Sequence, residues 1–404
     1  MAKVITDEKI IDELLTRGVE NIYPDKAALK KLLMSGRQIR LYCGYDPTAP
    51  TLHIGHGITI RKLAKFQQLG HKVIFLFGDF TAQIGDPTDK LSARQPLTHA
   101  QVMANLKNWK KQIKHIIDVK NIEFKFNSHW LSRLKFADLV KLSSYFTAQQ
   151  MLARSMFKER MSQGKDLYLN EFLYPMMQAY DSVSLGVDLE IGGNDQMFNM
   201  LAGRDLMKKM KGREKLVLTT KLLEDPTGKK MGKSEGNMIT LEDTPADMYG
   251  KVMSWPDEMI VPALEILTDM PLTEIREIAK QLSGGANPRD AKMELAYQVV
   301  KIYLGLEAAD SGAENFKRVF QQGDKPVEIA QVAIDCANHS IGVLELFVQA
   351  GLAKTNSEVR RLIKEGAIKI DDQKVTNEQF RVDLSAGRLL LQRGKKQFVR
   401  AVKK

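Results

Sequence analysis

Two apolar runs near the start of the chain, one short and one continuous, frame a helical stripe and together predict a parallel sheet. Ile39 to Cys43 is a short apolar segment, and Val73 to Phe77 is the unbroken kind of run that a strand buried on both faces requires. Between them, after the Pro-punctuated "DPTAPT", Ile60, Leu63, Phe66 and Leu69 form a slightly drifting apolar stripe. A helix from about Ile54 to Leu69 is therefore predicted, ended by Gly70. Strand, crossover helix and strand make one βαβ unit. Residues 97 to 168 read as mainly helical, and Tyr168 to Asp188 as further helix before a second strand–loop–helix pattern in "LEIGGNDQMFNMLAGRDLMKKM". From Thr244 to about Phe320 the pattern is helical again, with Pro256, Pro262, Pro271 and Pro288 marking corners. "QQGDKPVE" reads as a polar linker. After Ser340 come helices near 341 to 350 and 357 to 365, a strand "AIKI" and an Asp371-Asp372 turn. The expected organisation is an α/β catalytic domain over 1–243 with a helical insertion at about 97–168, a helical domain over 244–321, a linker over 322–339 and a small α/β domain over 340–404.

Composition narrows the class. The chain has 404 residues, 44% of them hydrophobic, which is ordinary for a globular protein with a sizeable core. No apolar run approaches the ~18 residues of a membrane span, and the amino terminus lacks a signal-peptide core, so a cytoplasmic protein is expected. Two distant cysteines, Cys43 and Cys336, argue against a disulfide framework and against a cysteine-based zinc site. The net charge of +11 is uneven: residues 351 to 404 hold 14 Lys/Arg against 6 Asp/Glu. A basic surplus in a compact segment favours a polyanionic partner, nucleic acid before membrane.

Two stretches carry candidate chemistry. In "LYCGYDPTAPTLHIGHG", His53 and His56 stand between the end of the first parallel strand and the start of its helix. Zinc is disfavoured, because no H-E-x-x-H, cysteine cluster or second histidine group accompanies them. The C-terminal end of a parallel strand is instead where α/β folds bind nucleotides, with helix N–H groups aimed at phosphate. The dinucleotide fingerprint G-x-G-x-x-G is missing there, which disfavours a dehydrogenase. Imidazoles flanked by Gly55 and Gly57 suit a triphosphate held by side chains. The second stretch, "GKKMGKSEGN", misses the Walker spacing because Gly228 and Gly232 sit one residue too close. Lysines on a glycine-hinged loop can still close over phosphates and stabilise charge developing in transfer.

His53-Ile54-Gly55-His56 and Lys230-Met231-Gly232-Lys233-Ser234 resemble the paired signatures of class I aminoacyl-tRNA synthetases, the second carrying Gly232 where the family usually has serine. "GDFTAQIGDPTDK", "YPMMQAYDSVSLGVDLEIGGNDQ" and "TTKLLEDPTGKKMGKS" are similar to bacterial tyrosyl-tRNA synthetases, and residues 340 to 404 look like the S4 RNA-binding domain that ends those enzymes. The resemblance implies a Rossmann-like catalytic domain and a two-step reaction. Tyrosine's carboxylate attacks the α-phosphorus of ATP, and a tRNA 3′-terminal hydroxyl then attacks the adenylate. It also implies the sites. Tyr42 and Asp181 would meet the phenolic hydroxyl, and Asp86, Tyr174 and Gln178 the α-ammonium; Tyr174, Gln178 and Asp181 share one helix face by their spacing. Gln196, Asp46 and Gly44 would complete the amino-acid and adenylate site, with Gly193 and Asp195 at the ribose. Thr48, His53, Gly55, His56, Lys230, Lys233 and Ser234 would serve ATP. Glu190 occupies a position where many relatives carry glutamine.

Family likeness further implies ATP with Mg²⁺ as co-substrate without a tightly bound cofactor, tRNA contact through the helical and S4-like domains, and a homodimer formed through residues near 130 to 160. A site that pairs the phenolic hydroxyl rejects phenylalanine by leaving buried polar groups unsatisfied, a principle for which this family is itself the standard illustration, so no editing domain is expected. Two rivals fit less well. A tryptophanyl enzyme shares both signatures but not the S4-like tail or "QAYD", and a non-catalytic RNA-binding scaffold would not need both signatures intact.

Overall fold

The computed structural model describes residues 4–88, 97–225, 227–228, 238–322, 331–336, 340–385, 388–394 and 397–403. Two compact units divide the chain, Met1–Ala309 and Asp310–Lys404.

In the first unit six strands form one sheet: β1 (Val19–Tyr23), β2 (Arg40–Tyr45), β3 (Lys72–Phe77), β4 (Glu123–Phe126), β5 (Leu189–Gly193) and β6 (Leu216–Thr220). Their order is β1-β6-β5-β2-β3-β4, with every neighbouring pair parallel except β1 against β6. From β2 the chain runs outward through β3 to β4, then returns to lay β5 and β6 on the other side of β2. The direction of winding therefore reverses between β2 and β5, and such a reversal opens a crevice at the carboxyl ends of the strands. Leu41 to Cys43 and Val73 to Phe77 are buried, as a sheet covered on both faces demands.

Helix Ile54–Gln68 covers the face bearing Tyr45, whose hydroxyl lies 2.9 Å from Thr59 Oγ1. Helix Leu169–Leu185 reaches the opposite face, where Leu185 packs with Tyr42, Ile74 and Leu76. A second helix, Met197–Lys211, packs on Leu169–Leu185 through Met176, Ala179, Val183, Leu206 and Met207. Gly70 ends the first helix with φ +88° and Gly186 the second with φ +59°, a backbone region that costs glycine nothing sterically. Helix Ile54–Gln68 also meets helix Pro288–Leu304: a Cβ on Gly57 would lie 2.4 Å from the Tyr303 ring, so only glycine admits this approach.

Two sequence expectations change in this unit. The insertion is not purely helical, because β4 lies inside it and extends the sheet beyond β3. Its four residues, "EFKF", are all half-buried at an edge and give neither a continuous apolar run nor an extended alternation. The expected corner at Pro262 is instead in the first turn of helix Ile260–Leu267, where a missing N–H breaks little helical bonding. Pro256, Pro271 and Pro288 do stand at helix starts.

The second unit has its own core around Val343, Leu346, Phe347, Val359, Ile368, Leu391 and Ala401. Helices Val343–Gln349 and Asn356–Lys364 pack with a sheet of β7 (Gln331–Ile334), β9 (Ile368–Ile370), β10 (Gln373–Lys374), β12 (Arg388–Arg393) and β13 (Gln397–Lys403), while β8 (Ser340–Gly342) pairs with β11 (Arg381–Asp383). Asp371 and Asp372 both have positive φ, 45° and 66°, and form the two-residue turn between β9 and β10. The region expected to be linker contains β7, which pairs in parallel with β13. That long-range pairing is not encoded in local composition.

Candidate active site

At the winding reversal lies a cavity of about 530 Å³ whose walls come from the carboxyl ends of the strands, helix Leu169–Leu185 and the start of helix Ile54–Gln68. Tyr42, Gly44 and Asp46 enter from the end of β2, Thr48, His53, Gly55 and His56 from the following loop and helix start, and Asp86 from beyond β3. Tyr174, Gln178 and Asp181 project from one face of their helix, while Gly193 ends β5 and Asp195 and Gln196 follow it. One concavity thus gathers these fourteen expected residues. Lys230, Lys233 and Ser234 lie outside the described residues. The chain directly after their segment is anchored near His53. Met238 lines the cavity, Ile54 N–H donates to Ile239 O at 3.0 Å, and Leu241 N–H donates to Leu52 O at 2.8 Å.

His53 is the N-cap residue of its helix, in extended conformation, and its N–H donates to His56 Nδ1 at 3.2 Å. The two rings stack with centroids 3.8 Å apart. A Cβ on Gly55 would approach the His53 ring at 3.0 Å, so glycine here leaves that imidazole room. The result is a helix N-terminus with two imidazoles over it, suited to phosphate oxygens.

Opposite, the polar floor is tightly connected. Tyr174 Oη donates to Asp46 Oδ2 at 2.9 Å and Thr81 Oγ1 to Asp46 Oδ1 at 2.7 Å. Gln196 Nε2 donates to Asp86 Oδ2 at 2.7 Å. Two carboxylates with donors already arranged around them create a negative region fit for an ammonium group. Deeper, Asp181 accepts from Trp130 Nε1 at 2.7 Å and Asn127 Nδ2 at 3.3 Å, and Tyr42 Oη lies 2.8 Å from Ser182 Oγ. Burial pushes the Asp181 carboxyl well above the usual range, against the two hydrogen bonds that favour its ionised form, with Glu190 and Asp46 pushing it up further. Burial likewise raises the Tyr42 and Tyr174 phenols well above their ordinary value, so both are neutral donors or acceptors.

Asn127, Trp130, Thr81, Ser182 and Lys215 belong to this network but did not figure among the expected residues. Asn127 and Trp130 follow β4, so the unrecognised strand concealed them. Ser182 did carry a signal, standing one helical turn beyond Gln178. Lys215, directly before β6, gave none.

Comparison with known proteins assigns the chain. Residues 34–321 match the family of class I tRNA synthetases for W and Y, and residues 320–401 match the tyrosine–tRNA ligase SYY-like C-terminal domain. The chain is 42% identical over 392 residues to a tyrosine–tRNA ligase of Moorella thermoacetica, covering 96% of this chain and 94% of that one. It is 40% identical over 398 residues to that of Haemophilus ducreyi, covering 98% and 99%. A C-terminally truncated mitochondrial tyrosyl-tRNA synthetase from Coccidioides posadasii has a similar fold, with a TM-score of 0.61 and 26% identity over 76% of this chain and 91% of that one.

Proposed function

The chain belongs to the class I tyrosine–tRNA ligases, and from that premise we propose how its cavity divides the work of joining tyrosine to tRNA at the expense of ATP. The observation that carries the proposal is the polarity of the cavity, with Tyr42 and Asp181 at its floor and the His53–His56 helix start at its other end.

Tyrosine enters with its phenol at Tyr42 and Asp181. A phenylalanine there would leave both polar groups without the partner they were buried to meet, which is the stronger form of discrimination. Asp86, Tyr174 and Gln178 hold the α-ammonium, and Gln196, Asp46 and Gly44 hold the carboxyl end and the adenylate. The tyrosine carboxylate attacks the α-phosphorus of ATP, the bond to the bridging oxygen breaks, and pyrophosphate leaves. Thr48, His53, Gly55, His56, Lys230, Lys233 and Ser234 bind the triphosphate and stabilise the charge that spreads onto it, while Gly193 and Asp195 meet the ribose. Mg²⁺ accompanies ATP as counter-ion. In the second step a tRNA 3′-terminal hydroxyl attacks the adenylate carbonyl and AMP leaves. No side-chain nucleophile is needed.

The tRNA is held by the helical segment after 244 and by the basic C-terminal domain. Exposed Phe136 and Val140, one turn apart on helix Phe136–Ser143, support a homodimer through the insertion, because large apolar groups so exposed call for a cover. Tyrosine-dependent exchange of pyrophosphate into ATP tests the reading with all twenty amino acids offered singly. Exchange with tyrosine alone is expected, and exchange driven by another amino acid instead would overturn it.

A further inference from the structure

In the wall of the tyrosine pocket, which Glu190 lines and Lys215 backs, lies a buried ion pair that neither chemical step uses. Glu190 on β5 is 2% exposed and Lys215, entering β6, is 0% exposed. They form a salt bridge, and Glu190 is the register neighbour of Tyr42 across the winding reversal. Every contact of the pair points toward substrate-site residues or backbone. Glu190 Oε1 accepts from Gln178 Nε2 at 3.1 Å, and Oε2 accepts from Lys215 and from Ser182 Oγ at 3.3 Å. Lys215 Nζ also donates to Ser182 Oγ at 2.9 Å and to Met200 O at 3.1 Å, so all three of its donors are used. Ser182 Oγ in turn lies 2.8 Å from Tyr42 Oη. The ammonium fits only because residue 203 is glycine, since a Cβ there would lie 2.7 Å from Lys215 Nζ.

A buried ion pair adds little net stability, because desolvation offsets most of its attraction. Orientation is what it provides. An ionised carboxylate only accepts, so Gln178 must turn its amide N–H₂ toward Glu190 and its carbonyl oxygen the other way. That leaves an acceptor for the substrate ammonium. A glutamine at 190 could donate or accept and would leave the orientation of Gln178 undetermined. At the other end, Lys215 and Glu190 clamp Ser182, whose oxygen fixes the Tyr42 hydroxyl.

We propose that Glu190 and Lys215 act as one positioning element for tyrosine, fixing Gln178 at the ammonium end and, through Ser182, Tyr42 at the phenol end. This rests on the assignment of the cavity to tyrosine. The test is pyrophosphate exchange by the full chain and by the double variant Glu190→Gln/Lys215→Met, which removes both charges together so that neither is left buried alone. The double variant should retain the parental KM for ATP while its KM for tyrosine rises about tenfold, the effect of about 1.4 kcal/mol. Its ratio of tyrosine to phenylalanine kcat/KM should fall. A merely structural pair would leave both tyrosine readouts at the parental level, which would overturn the proposal. Ser182→Ala keeps both charges and their salt bridge but removes the hydroxyl through which the pair reaches Tyr42, so it decides the matter should the double variant fail to fold. It should lower the tyrosine-to-phenylalanine ratio with phenylalanine kcat/KM nearly unchanged, and an unchanged ratio would overturn the proposal. Absence of tyrosine-dependent exchange in the parent would instead strike the underlying assignment.

Discussion

Asp181 shows the conflict between folding and function in one side chain. Its carboxyl is 3% exposed, and burial raises its pKa despite two donors holding the ionised form. Because the folded-state pKa lies above the unfolded one, the folded protein binds more protons between the two values. Its stability therefore falls as pH rises through that window. Asp181→Asn removes the charge and keeps the shape. Urea unfolding at pH 8 should find the variant more stable by about 1 kcal/mol, the usual scale for relaxing a strained active site. The same variant should lose tyrosine activation far more than phenylalanine activation. A variant less stable than the parent, or an unchanged substrate ratio, would remove Asp181 from this role.

At the scale of elements, the starts of β2 and β3 are tied by a titratable link. Ile39 N–H points to His71 Nδ1, a long contact of 3.5 Å that requires the imidazole to be unprotonated. Burial lowers the His71 pKa to about 4. With the folded pKa below the unfolded one, the unfolded chain takes up the proton first as pH falls. Stability contributed by neutral His71 is thus full above about pH 6.5 and is lost down to about pH 4. The expected loss across that window is about 3 kcal/mol, read as a falling urea midpoint. His71→Asn keeps an acceptor for Ile39 but does not titrate, and should flatten this part of the profile.

For the whole molecule, β7 decides where the chain can be divided. A cut anywhere in 322–339 looks harmless from composition, but β7 at Gln331–Ile334 completes the C-terminal sheet through β13. The cut belongs directly after Gln322. A chain ending there keeps every residue of the cavity and should form tyrosyl-adenylate at close to the parental rate. It should charge tRNA poorly, because the removed part carries the basic surplus, 14 Lys/Arg against 6 Asp/Glu over residues 351 to 404. Each phosphate contact releases counterions, so tRNA binding by the full chain should weaken steeply between about 50 and 200 mM salt, and the truncated chain should show a shallower slope in the same titration. Equal slopes would deny the C-terminal domain its RNA contact.

Much of this protein was legible in its sequence, for a physical reason that also marks the limit. The βαβ unit around His53, the helix face of Tyr174, Gln178 and Asp181, and the Asp371-Asp372 turn all follow from local periodicity and turn chemistry, which the backbone obeys wherever it is placed. The paired signatures likewise point to nucleotide chemistry because their residues act together whatever surrounds them. β4 and β7 were hidden because each is four residues long and owes its existence to a distant partner strand. Asn127, Trp130 and Lys215 were hidden for the same reason, since they reach Asp181, Ser182 and Glu190 across 25 to 54 positions of sequence. Tertiary structure alone decided which carboxyl is buried, which amine balances Glu190 and which glutamine is turned. Desolvation and hydrogen-bond direction depend on what surrounds a group in space, and no pattern along the chain records that.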